Sequence, residues 1–341
     1  MKILITGIAG FVGSSLARAL LKADSKVEIV GIDDLSFGYI ERLDDIKSQI
    51  VFLEHDIAKI DEILDGSSID IIVHCAAITP LPECQIDSHR AIMQNVANCG
   101  SIADFAIQCG IKNIIFFSSG AIYEGVTQFP TPEDVEINTR LVYPATKYMA
   151  EIYFESMCCS YGLNITALRL FNLYGPHQDY FRKQPPLIGY LLKSLILNQQ
   201  ATLFSTGAQQ RDYIYIDDLL DLINHVISGM LKTQSDGKFT ALNVANGEPV
   251  SVNDVVQLLE VIAGKKIDIM RNPPDQYWDK YEQLKRGKIA LNNAIIRDEV
   301  QKFTHADLKR THNLLGWSAK TSMRSGLEKC YEFAKTILIK G

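Results

Sequence analysis

Tyr143 and Lys147, in the stretch YPATK, stand four residues apart, a spacing that puts both side chains on one face of a helix. A phenol ordinarily loses its proton near pH ~10, so tyrosine alone is a poor base at neutral pH. A neighbouring ammonium favours the phenolate, because an opposite charge within a few ångströms moves a pKa by ~1–3 units. Taken by itself the pair reads as a core tyrosine beside a solvated lysine. Ser119, in FFSSGAIY, changes that balance. It ends an apolar run, and its hydroxyl can hydrogen-bond the same substrate oxygen from which Tyr143 would take a proton. Ser118 is expected to support the strand or a cofactor.

A second group of residues has spacing suited to a dinucleotide. Gly7, Gly10 and Gly13, with Phe11 and Val12 between them in TGIAGFVG, follow a first apolar run and open a helical one. Glycines there allow a tight turn and close approach of backbone to a pyrophosphate, which the helix N-terminus then attracts. The second apolar run ends in Asp33 and Asp34. Asp33 is placed to accept hydrogen bonds from ribose hydroxyls, and Asp34 to do so or to cap a turn. No Arg or Lys lies between Asp33 and Tyr39 to receive a 2′-phosphate, which favours NAD over NADP. Asp56 and Ile57 are expected to flank adenine, and the small Ala76 and Ala77 to admit the cofactor closely. His74 reads as a packed histidine at a strand end.

These residues need a scaffold that gathers strand ends. Lys2–Thr6, Val27–Ile32, Ile50–Leu53, Ile69–Val73 and Asn113–Phe117 are short apolar runs. They alternate with helical stretches at Phe11–Leu21, Ile57–Leu64 and Arg90–Cys109; a helix from about Tyr143 to Tyr161 and a strand at Ile165–Leu170 follow. That alternation implies an α/β, Rossmann-type, doubly wound parallel sheet, whose ligand crevice lies at the carboxyl ends of its strands. The character changes after Gly175-Pro176. The reading is a nucleotide-binding domain over 1–175 and a smaller α/β C-terminal part over 176–341 that mainly binds substrate, with some chain returning to the first domain.

Composition narrows the class further. Of the 341 residues, 47% are hydrophobic and 22% charged, ordinary for a globular enzyme. The apolar runs are strand-sized, which argues against a membrane span, and MKILITG lacks a signal-peptide core, which suggests the cytoplasm. A net charge of −6 argues against a general nucleic-acid binder. The seven cysteines show neither a disulfide nor a metal spacing.

In order along the chain, TGIAGFVG, GIDDLSFG, VHCAA, FFSSGAIY, YPATK, LRLFNLYGP, QQRDYIYIDDL and LLGWSAKTSMRSGL resemble the motifs of the extended short-chain dehydrogenase/reductases, specifically their nucleotide-sugar epimerase/dehydratase branch. The resemblance spans nearly the whole chain. It implies tightly held NAD, a triad of Ser119, Tyr143 and Lys147, a nucleotide-diphosphate sugar as substrate, and a homodimer through the helices near 90–109 and 143–161. It also implies that Asn172 contacts the diphosphate, that Leu187 and Phe204 meet the nucleobase, and that Arg211 and Arg297 bind phosphate. Asn95 would support the active site, with no metal involved.

Members of that branch begin alike: a base takes the proton of a sugar hydroxyl, normally at C4, as hydride passes to NAD. Dehydratases and decarboxylases place an acid directly after the triad serine, whereas this chain has Gly120 and Ala121. With no proton carrier there, 4-epimerisation of a nucleotide-diphosphate hexose, with UDP as the family's usual nucleotide, is favoured. Dehydration, decarboxylation, and net 4-dehydrogenation or 4-ketoreduction are the alternatives. Glu124 and His177 are the two residues able to disturb that choice.

Overall fold

The computed structural model describes residues 1–66, 68–232, 237–285 and 288–339. Seven strands form one sheet: β1 (Lys2–Thr6), β2 (Glu28–Asp33), β3 (Val51–Glu54), β4 (Ile71–His74), β5 (Asn113–Ser119), β6 (Asn164–Leu170) and β7 (Phe239–Val244). Their order is β7-β6-β5-β4-β1-β2-β3, with every neighbouring pair parallel. Helices cover both faces. Ile3, Ile5, Val73 and Ile115 therefore enter one core while Leu4, Ile72 and Ile114 enter the other. Burial on both faces is why these strands read as continuous apolar runs rather than alternating ones.

The order reverses between β1 and β4, the kind of switch point where α/β sheets open a crevice. Helix Phe11–Ala23 leaves the glycine turn after β1, and helix Val142–Tyr161 runs back from the cleft between β5 and β6. Ser88–Ile92, the π-helical turn Met93–Ala97 and Asn98–Cys109 form a continuous helical stretch across the expected helix 90–109.

The departures from expectation are local. Ile57–Leu64 forms a 3₁₀ turn at Ile57–Lys59 and a single α-turn at Ile60–Ile63, with Asp56 accepting the Ala58 N–H at 3.0 Å. In the charged stretch 274–296, Pro273-Pro274 precede 3₁₀ turns at Pro274–Gln276 and Glu282–Lys285, and an α-helix starts only at Asn293, capped by Asn292. Ser251 caps helix Val252–Ala263 in a reciprocal box with Asp254. No helix among the described residues is long and apolar enough to cross a membrane.

Candidate active site

A cleft of about 610 Å³ opens at the carboxyl ends of the strands. Its walls bring together Gly7, Gly10, Phe11, Val12, Gly13, Asp33, Asp34, Asp56, Ile57, Ala76, Ala77, Ser118, Ser119, Tyr143, Lys147 and Asn172, residues spread over 165 positions of the chain.

At one end the glycine turn makes a cradle. Gly7 has φ +69°, and a β-carbon there would lie 2.8 Å from the backbone nitrogen of Ala76. A β-carbon on Gly13 would lie 2.3 Å from the Gly7 carbonyl, so the turn packs against the first helical turn only with glycine in both places. Gly10 caps helix Phe11–Ala23 without a side-chain bond, and its first turn carries no acid. Its N–H groups and positive dipole end are therefore left for an anion. Asp33 is buried beside the cradle, accepting N–H bonds from Ala9 and Leu35, both at 2.9 Å. Burial raises its pKa, against the pull of those two N–H groups. Each carboxylate oxygen keeps a further lone pair for a hydroxyl donor.

At the other end, helix Val142–Tyr161 stacks Tyr143 above Lys147, and both are buried. Lys147 Nζ donates to the Phe117 carbonyl at 2.8 Å and lies 4.9 Å from the Phe116 ring centre. Burial depresses the ammonium to about 8. Burial likewise pushes Tyr143 up to about 12, while its hydrogen bond with Ser119 and the charge of Arg182 pull it down. In the protein alone, then, the ammonium is directed at a β5 carbonyl, and the phenol is eased by Ser119 and Arg182. Ser119 also accepts the Ala121 N–H at 3.1 Å, which fixes the 3₁₀ turn Gly120–Tyr123.

Other predicted residues lie behind the cleft. Asn95, on the π-helical turn, exchanges bonds with Ile78 (2.8 and 2.9 Å) and donates to Thr146 at 3.1 Å. It ties the loop after β4 to the helix of Tyr143. Ser118 lines the cleft, yet its hydroxyl donates to buried Glu151. Leu187, Phe204, Arg211 and Arg297 do not line the cleft. Leu187 packs on the core, Phe204 leans on Tyr277 at 5.3 Å, and Arg297 is exposed on helix Asn293–Gln301. Arg211 donates to the carbonyls of Glu299 (2.7 Å) and Val300 (3.1 Å), and its Nη1 is buried without a partner.

Neither His74 nor His177 lines the cleft. His74 is buried against Thr6 Oγ1 at 2.7 Å, and burial depresses it to about 3. His177, at φ +66°, packs at a tilt against Phe333, with ring centres 4.1 Å apart. Glu124 turns away from the cleft, its Oε1 accepting the N–H groups of Arg140 and, at 2.8 Å, Leu141. Burial raises its carboxyl to about 7 from 4.5. Stability from this raised group is fully present below about pH 4.5 and is lost as pH rises through about 7. Glu124→Gln keeps the accepting oxygen and removes the charge. The variant should melt above the wild type at pH 8 and with it near pH 4; identical melting at pH 8 would refute the burial argument.

Residues that sequence reasoning missed include Glu83, Arg182, Gln178 and Lys302, all lining the cleft. They come from irregular loops or short helices, where no periodicity marks a side chain as facing a ligand.

Cradle, strand-end serine and Tyr–Lys helix share one cleft, the layout of a dinucleotide-binding α/β protein. The chain belongs to the NAD dependent epimerase/dehydratase family, whose model matches residues 3–245. Among curated relatives it is 27% identical to a UDP-glucose 4-epimerase of Mycolicibacterium smegmatis, over 98% of each chain. It is 26% identical to a UDP-glucuronate 4-epimerase of Thermodesulfobacterium geofontis, over 97% of this chain and 95% of the other. Among solved structures it is similar to the UDP-glucose 4-epimerase of Thermotoga maritima with UDP-glucose, with TM-score 0.84, 26% identity, and 99% and 100% of the two chains covered.

Proposed function

We propose that the protein is an NAD-dependent UDP-sugar 4-epimerase. The observation that carries this reading is a single cleft with a glycine cradle at one end and Ser119, Tyr143 and Lys147 at the other. The residues fit NAD: the uncapped helix end suits its pyrophosphate, Asp33 its adenosine ribose, and Lys147 its nicotinamide ribose. When bound, NAD supplies a hydride acceptor for C4 of the sugar and returns the hydride. The chain's own part is to hold the C4 oxygen between Ser119 and Tyr143, with Tyr143 taking its proton and giving it back. The positive charge of Lys147 favours the phenolate over that interval.

Asn172 lies at the cleft wall with Nδ2 donating to the Asp212 carbonyl at 2.7 Å, beside the path for a diphosphate. The unpartnered Nη1 of Arg211 lies off the cleft wall, and its guanidinium would suit a phosphate oxygen. Residues 1–175 would mainly hold NAD and 176–341 mainly substrate, with β7 returned to the first sheet. Exposed Ile92, Met93, Met149 and Ile152 on the two long helices suit a homodimer interface.

Incubation with UDP-glucose, UDP-glucuronate and UDP-N-acetylglucosamine, followed by NMR of the products, tests the reading. Inversion at C4 without loss of mass is the expected result. Loss of water or CO₂ would replace epimerase with dehydratase or decarboxylase, and net change in NAD would indicate a dehydrogenase or ketoreductase.

A further inference from the structure

A buried ion pair sits directly behind the turn that presents Ser119. Glu151, one helical turn beyond Lys147, receives Arg169 of β6 through Nη2 to Oε2 at 2.6 Å and Nε to Oε1 at 3.0 Å. Both side chains are almost wholly buried, at 3% and 6% exposure. Such a pair repays its desolvation poorly, and an apolar pair of similar volume is often as stable or more so. Its presence therefore calls for a reason other than stability, and its remaining bonds supply one.

Glu151 accepts the Ser118 hydroxyl, immediately before Ser119. Arg169 Nη1 donates to the Tyr123 hydroxyl at 2.8 Å, at the far end of the same turn, and to the Glu133 carbonyl at 2.6 Å. Tyr123 in turn donates to Asn243 of β7 at 2.8 Å. The turn Ser118–Tyr123 is thus gripped on both sides of Ser119 by one charge pair, and half of that pair belongs to the helix that carries Tyr143 and Lys147. The helix face is continuous: Tyr143, Lys147 and Glu151 follow at intervals of four, meeting Ser119, the Phe117 carbonyl and Ser118 of β5.

We propose that the Glu151–Arg169 pair is the positioning element of this active site, fixing Ser119 against Tyr143 by clamping Ser118 and Tyr123 to the catalytic helix. The inference rests on the epimerase reading for its kinetic readout and on the hydrogen-bond geometry for its content. Glu151 does not touch the cleft, and it acts through Ser118. Its negative charge also supports the Lys147 ammonium that burial weakens.

Ser118→Ala removes one grip while leaving the ion pair whole, and Ser118→Thr restores the hydroxyl. Turnover of a UDP-hexose per NAD-loaded site should fall roughly tenfold in the alanine variant, the kinetic equivalent of one ordinary hydrogen bond, with KM unchanged. The threonine variant should recover most of that loss. Tyr123→Phe, which releases the other side of the turn, should behave like the alanine variant. Turnover per loaded site within twofold of wild type in both Ser118→Ala and Tyr123→Phe would reduce the pair to a structural role. If the wild type converts no UDP-hexose, the epimerase reading fails separately. Ionisation of Tyr143, followed as phenolate absorbance against a Tyr143→Phe control, then decides the positioning claim. It should move to higher pH in Ser118→Ala and return in Ser118→Thr; no movement would overturn the proposal.

Discussion

Tyr143→Phe is expected to lower kcat by about 10³-fold, in the range lost with a general acid–base group, while NAD stays bound. The change deletes a single oxygen. The ring sits against Ile78, Cys84 and Ala91, contacts that phenylalanine keeps, so the helix has no reason to move. Ser119 cannot take over, because an aliphatic hydroxyl lacks the acidity and is already accepting the Ala121 N–H. Lys147 cannot either, since its ammonium is directed at the Phe117 carbonyl. Product NMR with a UDP-hexose measures the loss, and absorbance of the cofactor released by denaturation measures retention. Unchanged turnover would remove Tyr143 from the chemistry; lost NAD would assign it to cofactor binding.

Arg169→Met is expected to cost about 3–5 kcal/mol of stability, because it strands the Glu151 carboxylate in the interior without its counter-charge, with the Ser118 hydroxyl left as a neutral donor. Methionine fills much of the volume but none of the five bonds that Arg169 makes to Glu151, Tyr123 and Glu133. Urea unfolding at constant pH measures it. The paired replacement Glu151→Leu with Arg169→Met should recover most of the loss, since an apolar pair carries no stranded charge. A loss below about 1 kcal/mol for the single variant would show that Glu151 takes up a proton or reaches water at little cost.

Much of the site is legible in the sequence. The glycine turn, Asp33, and the Tyr143–Lys147 interval are local patterns, in which a few adjacent residues carry both the conformation and the chemistry. Strand and helix alternation placed Ser119 at a strand end, and parallel-sheet topology brings such ends to one crevice. Gly120 and Ala121 were equally readable, because a missing side chain in a fixed turn is a statement about that turn alone. The inference from them was narrower than the cleft itself, since Glu83 also lines it from a different segment.

Substrate-side contacts behaved differently. Leu187, Phe204 and Arg297 sit off the cleft wall, and Arg182 and Lys302 sit on it, although nothing in their neighbourhoods separates the two groups. Loops after Gly175 are held by bonds between distant segments, such as Arg211 to Glu299 and Asp212 to Thr304, 92 positions apart. Glu124 shows the same limit: its distance from the chemistry depends on Arg140 and Leu141, which receive it from across a loop.

The sequence by itself thus determined the sheet, the glycine turn and the proposed trio of Ser119, Tyr143 and Lys147, because short-range patterns dictate each of them. Only the tertiary structure decided which acids line the cleft and which side chains bond to the turn that carries Ser119. Glu151 and Arg169 are 18 positions apart and look like ordinary surface charges in the sequence. Folding alone takes both from water and leaves each the other's partner, since a buried charge must find its counter-charge wherever the packing of helix on sheet delivers one.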